Sequence, residues 1–101
     1  MNDGELRSAL AAGDLAERKR LLREATQTYA ATLLSLDSID GDTNMLERGL
    51  NSLSAIELTK YLMLITDMEI PLVTIVDQPT PVLLGDHLAE EYTRVRERVP
   101  Q

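Results

Sequence analysis

The sequence GLNSLSAIEL, residues 49–58, sets a glycine and a polar pair immediately before a run of helix-forming residues. From Asn51 or Ser52 to about Asp67 the chain contains neither glycine nor proline, which predicts one continuous helix. Apolar residues recur in it at spacings of three, four and three, the period of one helix face. The predicted buried face consists of Ala55, Leu58, Leu62 and Ile65.

A second long helix is predicted before this segment, from Leu15 onward. Asp14 is suited to cap it, and Glu17, three residues later, would complete a capping box. Charged residues occupy most faces, as expected for a helix that packs on one side only. The predicted buried positions again recur every three or four residues, at Leu22, Ala25, Tyr29 and Leu33.

A third long helix is predicted near the end of the chain. Thr80 followed by Pro81 is a start signal, because it places a capping hydroxyl before proline at the first helical position. Before it, Pro71 bars a helix from continuing through Ile70, so residues 72–77 are expected to be a loop with one short helical turn. The last helix would bury Leu84, Leu88, Tyr92 and Val95.

The first two long helices are separated by a long predicted loop. Residues 36–44 lack apolar periodicity and carry four turn-forming or capping residues, Asp40, Gly41, Asp42 and Asn44. The loop is expected to be anchored to the core by Met45, Leu46 and Leu50.

The two chain ends are expected to lie outside the domain. Gly4 and Gly13 interrupt residues 1–14, which we interpret as a flexible leader or linker with at most a turn or two of helix. Residues 96–101 are expected to form a C-terminal tail. The sequence therefore predicts one domain, residues 15–95, in a chain of 101 residues.

Composition excludes several classes of function. Seventeen acidic residues against ten basic ones give a net charge of −7, which disfavours nucleic acid and anionic membranes as partners. The chain has no cysteine and one histidine, His87, so a metal centre is not expected, and His87 is interpreted as structural. With no signal peptide or membrane-spanning run, we expect a soluble cytoplasmic protein.

Ser52 is the candidate functional residue, because a serine at a helix N-terminus can hold a negatively charged group. Unpaired amides and the positive end of the helix dipole favour an exposed anion there by about 0.3 to 1 kcal/mol. The alternative is that Ser52 or Asn51 is only a helix cap, and Ser54 with Glu57 also fits a capping box. The local sequence does not decide whether Ser52 is a site of modification or only a helix cap.

The wider pattern resembles the acyl carrier domains of modular polyketide synthases. The resemblance covers the basic, leucine-rich first helix and then Met45 to Tyr92. Its ordered motifs are GLNSL at 49–53, AIEL at 55–58, IP at 70–71, VDQPTP at 76–81 and LGDHL at 84–88. The sequence departs from the family at Asn51, where an aspartate is usual, at Met45, usually aromatic, and at Arg48, usually leucine.

This resemblance implies an all-α fold, a right-handed four-helix bundle with three long helices and a short third helix. It implies a non-catalytic carrier with 4′-phosphopantetheine attached to Ser52, whose thiol holds acyl intermediates as thioesters. It also implies contacts with a phosphopantetheinyl transferase, a ketosynthase, an acyltransferase and other synthase domains, and a monomeric isolated domain. The residues expected to contact these partners are Arg48, Leu50, Asn51, Leu53, Ile56, Glu57 and Lys60.

Two other functions compete with this interpretation. A peptidyl or aryl carrier domain of a nonribosomal peptide synthetase would share the serine and the helices, but the segment 77–81 and the absence of a Gly-Gly-x-Ser motif favour the polyketide type. A small helical adaptor that is never modified would share only the helices. It would keep its function after Ser52→Ala, whereas a carrier would lose it.

Overall fold

The computed structural model describes residues 1–97, and all the regular secondary structure in that range is helical. Five helices follow one another: α1 (Asp3–Ala12), α2 (Leu15–Leu33), α3 (Ser52–Thr66), α4 (Val73–Asp77) and α5 (Pro81–Glu97). The predicted all-α fold is confirmed, with three long helices, the short α4 between α3 and α5, and a long loop between α2 and α3. Of the predicted tail, residues 98–101 lie outside the described residues.

The predicted helix starts are confirmed by their caps. The Asp14 carboxylate accepts a hydrogen bond from the Glu17 amide at 2.9 Å, and the Thr80 hydroxyl accepts one from the Leu83 amide at 3.1 Å. The capping box predicted at α2 is only half formed, because the Glu17 carboxylate accepts from Arg20 at 2.7 Å instead. That hydrogen bond lowers the pKa of Glu17.

The core is formed mainly where α2 and α5 pack antiparallel, and α3 packs against α1 and α2. All four residues predicted for the buried face of α3 are buried. In α2 the buried stripe is displaced by one residue at two positions, to Thr26 and Ala30, and Ala25 and Tyr29 are half-buried. In α5, Val95 remains 48% exposed, contrary to prediction. The buried aliphatic side chains include Leu21, Leu22, Leu58, Leu62, Ile75, Leu84 and Leu88.

The first residues differ from the flexible leader expected from the sequence. Helix α1 is capped by Asn2, whose side chain accepts from the Glu5 amide at 2.8 Å, and it buries Leu6 and Leu10. The two glycines do not interrupt it. Gly4 lies in its first turn and Gly13 follows its last residue, so they bracket the helix. The predicted outer bounds of the domain, residues 15–95, stay a prediction.

Arg18 of α2 joins α1 to the rest of the bundle. Its Nε donates to the carbonyl of Leu10 at 2.8 Å and its Nη1 donates to the Thr93 hydroxyl at 2.9 Å. Its guanidinium also lies 4.9 Å from the ring centroid of Tyr92, a cation–π contact. Because the side chain is only 9% exposed, these contacts replace water for the guanidinium and for the C-terminal carbonyls of α1.

Arg18→Ala is expected to loosen α1. The carbonyl of Leu10 loses its charged donor, which should lower the free energy for local opening of α1 by about 1 to 2 kcal/mol. Native-state hydrogen exchange of the α1 amides measures this. Arg20→Ala on the same helix is the control, because Arg20 is exposed and its ion pairs within residues 1–97 are with Glu17 and Glu24 of α2 itself. Equal exchange rates in the two variants would contradict the assigned role of Arg18.

None of the helices in residues 1–97 is long and apolar enough to cross a membrane.

Candidate functional site

Ser52 is the first residue of α3, and its side chain is exposed. Its hydroxyl has no hydrogen-bond partner within residues 1–97. Asn51 caps the helix instead: its side chain accepts from the Ser54 amide at 2.9 Å, and the Ser54 hydroxyl accepts from the Asn51 amide at 2.9 Å. The capping box is therefore Asn51 with Ser54, not Ser54 with Glu57, and Ser52 has no capping role.

The N-terminus of α3 has the donors that an anion requires. The Asn51–Ser54 box uses the Ser54 amide, and the Ala55 amide donates to the Asn51 carbonyl at 2.8 Å. Within the part of the chain that the structure describes, the amides of Ser52 and Leu53 have no acceptor. With the positive end of the helix dipole beside them, these two amides fit a phosphodiester attached to the Ser52 hydroxyl.

A compact turn holds the start of α3 against the core. The Met45 amide donates to the Pro79 carbonyl at 2.8 Å, and the Leu50 amide donates to the Met45 carbonyl at 3.0 Å. Met45 and Leu50 are 0% and 4% exposed. Leu50 is thus a core anchor, as expected for the loop, and its predicted place among the partner-contacting residues is wrong because no partner could reach it.

Gly49 makes this turn possible, because its φ of 114° lies where L side chains are strained. Gly49→Ala is expected to lower the free energy of unfolding by about 1 kcal/mol. A Cβ there would meet only Leu34 Cδ2, at 4.0 Å, so backbone strain and not a clash is the cause. Urea denaturation measures the loss. An unchanged midpoint of unfolding would show that the turn can adopt another backbone conformation without strain.

The other predicted contact residues lie on the surface of the domain. Leu53 is 69% and Ile56 39% exposed. The remaining four are also exposed: Arg48, Asn51, Glu57 and Lys60. Arg48 shares a groove of about 310 Å³ with Leu53, Ser54 and Glu57.

Sequence reasoning missed the exposed apolar face of α4. Leu72, Val73 and Val76 are 41%, 57% and 58% exposed, while Ile75 is fully buried. The signal was present, because four apolar residues within residues 72–76 cannot all be buried by one short helical turn.

His87 lies half-buried on α5, beside a cavity of about 460 Å³ that Asp67, Glu69 and Glu91 also line. Within residues 1–97, no group of three or more histidine, aspartate or glutamate side chains is placed to hold a metal ion.

Similarity to known proteins shows the family of this chain. The sequence matches the family described as "Phosphopantetheine attachment site" over residues 24–88, which include all of α3 and α4. The chain belongs to the phosphopantetheine attachment family. It is therefore a non-catalytic carrier domain, and its cofactor is covalent 4′-phosphopantetheine. Helix α1 lies outside the matched residues.

Two curated relatives of this carrier domain are polyketide synthase proteins. It is 37% identical over 87 residues to the spectinabilin polyketide synthase system protein NorA′ of Streptomyces orinoci, an alignment that covers 83% of this chain and 2% of that protein. It is 33% identical over 87 residues to the pikromycin polyketide synthase component PikAIII of Streptomyces venezuelae, covering 83% of this chain and 6% of that protein. The chain thus spans a small fraction of each relative.

A solved structure shares the fold of the carrier domain. It is BlmI, a type-II acyl-carrier-protein from Streptomyces verticillus involved in bleomycin biosynthesis, with a TM-score of 0.69 and 24% identity. The match covers 73% of this chain and 89% of BlmI.

Proposed function

We propose that Ser52 is the residue to which the phosphopantetheine arm is attached. One observation carries this proposal: the Ser52 hydroxyl is exposed and makes no hydrogen bond within residues 1–97, while the neighbouring Asn51 and Ser54 form the cap. A serine that stabilised the helix would be engaged as Ser54 is. The free hydroxyl beside two free amides is suited to modification.

The attachment reaction is a phosphoryl transfer. The Ser52 Oγ forms a bond to the phosphorus of coenzyme A that bears pantetheine, the bond from that phosphorus to the bridging oxygen breaks, and 3′,5′-ADP leaves. The hydroxyl proton passes to a base of the transferase. The bound group supplies a thiol that can form thioesters. The chain itself exposes the hydroxyl and stabilises the new negative charge at the N-terminus of α3.

We further propose that the acyl groups carried are polyketide intermediates. The relatives named for polyketide synthases support this, as do the ordered motifs after Ser52. The partners would be a phosphopantetheinyl transferase and synthase domains such as a ketosynthase and an acyltransferase. Their proposed contacts are the exposed residues Arg48, Asn51, Leu53, Ile56, Glu57 and Lys60. A cytoplasmic location and a monomeric isolated domain stay predictions.

Intact-mass spectrometry tests the attachment. The purified chain is incubated with coenzyme A and a broad-specificity transferase, and one phosphopantetheine per chain is expected, located on Ser52 by peptide fragmentation. An adduct on another serine would refute the assignment. Loading from malonyl-pantetheine and aminoacyl-pantetheine analogues, followed by transfer to a polyketide ketosynthase, would then separate a polyketide carrier from a peptidyl carrier.

A further inference from the structure

Almost every cationic side chain in residues 1–97 is engaged by a neighbour. Four are paired with carboxylates: Lys19, Arg20, Arg23 and Arg94. Three others contact carbonyls or an aromatic ring: Arg7, Arg18 and Arg96. Within this range only Arg48 and Lys60 have no such partner. Both are exposed, but only Arg48 lines a groove with Asn51 and Leu53, the two residues next to Ser52 in the sequence.

Arg48 lies in the turn that leads into α3. Its amide donates to the Asn44 carbonyl at 3.1 Å, which fixes the backbone, while its side chain is exposed. The groove that Arg48 lines is about 310 Å³ and runs between the first turn of α3 and the end of α2. Leu33 and Leu34 form its α2 side.

We propose that Arg48 binds the phosphodiester of the arm and directs the arm along this groove. The inference rests on the proposed attachment at Ser52. The amides of Ser52 and Leu53 supply hydrogen bonds from the helix end, and the planar guanidinium supplies paired donors that match two phosphate oxygens. Because Arg48 has no carboxylate partner in the described range, it breaks no ion pair when it binds the phosphodiester.

Lys60 does not share this role, although it is the other cation without a partner. It follows Ser52 by eight residues, which is about 12 Å along the axis of α3 at 1.5 Å per residue. It lines a different groove, with Tyr29, Tyr61 and Leu64. The Lys60 ammonium cannot contact a phosphodiester held at Ser52 from that distance. Lys60→Gln is therefore the control: it changes the net charge as Arg48→Gln does, but it removes no contact with the phosphodiester.

The test uses the loaded chain, with loading established by intact mass. In the wild type, the Nε–H signal of Arg48 in ¹H–¹⁵N spectra should shift on loading, and the amides of Leu33 and Leu34 should shift with it. In Arg48→Gln the phosphodiester should become mobile, and its ³¹P relaxation rate should fall by about a third. This is the drop in order parameter from a rigid to a flexible site. Lys60→Gln should relax as the wild type does. Salt at about 1 M should release the arm in the wild type and in Lys60→Gln, and should change nothing in Arg48→Gln.

The outcomes separate this inference from the attachment it rests on. No mass gain would refute attachment and remove this inference with it. A mass gain with an unshifted Arg48 signal, or an equal loss of relaxation rate in Lys60→Gln, would overturn the role of Arg48 alone. Shifts at Val73 and Val76 in place of Leu33 and Leu34 would show that the arm lies along α4 instead. Thermal denaturation checks that both variants remain folded.

Discussion

Ser52→Ala is expected to abolish the mass gain with coenzyme A completely, because it removes the only oxygen at that position that can bond to phosphorus. The free energy of unfolding should change by less than about 0.5 kcal/mol, since the side chain is exposed and makes no hydrogen bond within residues 1–97. Intact mass measures the first effect and urea denaturation the second.

Ser54→Ala is the matched control, two residues away on the same helix turn. It removes the hydroxyl that accepts from the Asn51 amide at 2.9 Å, which should cost about 0.5 to 1 kcal/mol of stability. Loading should be complete, because the Ser52 hydroxyl is untouched. If Ser52→Ala still gains the arm, the arm is attached to another residue. If Ser52→Ala destabilises the chain more than Ser54→Ala, Ser52 has a structural role.

Gly85→Ala is expected to destabilise the bundle by about 3 kcal/mol, at the upper end of the usual cost of overpacking. Gly85 is buried where α5 crosses α2, and a Cβ there would lie 2.6 Å from the amide nitrogen and 2.8 Å from the Cα of Arg23. These are backbone atoms, which cannot rotate away. The two helices would have to separate, and the fully buried Leu22 and Leu84 would lose contacts.

The same separation would weaken the ion pair between Arg23 and Asp86. The two side chains are joined at 2.6 Å and 2.7 Å in a bidentate arrangement across α2 and α5. The hydrogen bond to Asp86 raises the pKa of Arg23, against a smaller opposing effect of burial. Thermal and urea denaturation of Gly85→Ala measure the total loss.

Gly4→Ala controls for the change from glycine to alanine in a helix. Gly4 lies in α1, and its added Cβ would meet only the side-chain oxygen of Asn2, at an ordinary 3.5 Å. There the higher helix propensity of alanine should stabilise the chain by up to about 1 kcal/mol. A stabilising effect at both positions would mean that α2 and α5 have room to separate without loss.

Much of the candidate site could be predicted from the sequence, because its local chemistry is short-range. The start of α3 at Asn51 and Ser52, the caps at Asp14 and Thr80 and the buried face of α3 depend on residues within one or two helical turns. The order of motifs along the chain then indicated a carrier, and the family match agrees with it.

The errors concern residues whose place depends on what packs against them. Leu50 was assigned to the partner surface, yet the turn closed by the Met45 amide and Pro79 carbonyl places it in the core. Residues 3–12 were expected to be a leader, yet Leu6 and Leu10 pack against the bundle and Arg18 joins its C-terminus to α2 and α5. A contact such as that between Arg18 and Thr93 cannot be predicted from a local sequence pattern, because the two residues are far apart in the chain.

The sequence by itself determined where α2, α3 and α5 begin and which serine is the first residue of α3, because capping and periodicity are set by neighbouring residues. The local cap between Asn51 and Ser54 leaves the Ser52 hydroxyl without a partner in residues 1–97. Only the tertiary structure decided that Leu50 lies in the core and that Arg48 has no partner in the described range. It also decided the role of Gly85, which by propensity weakens α5. Packed against the backbone of Arg23, that glycine lets two helices approach as closely as the core requires.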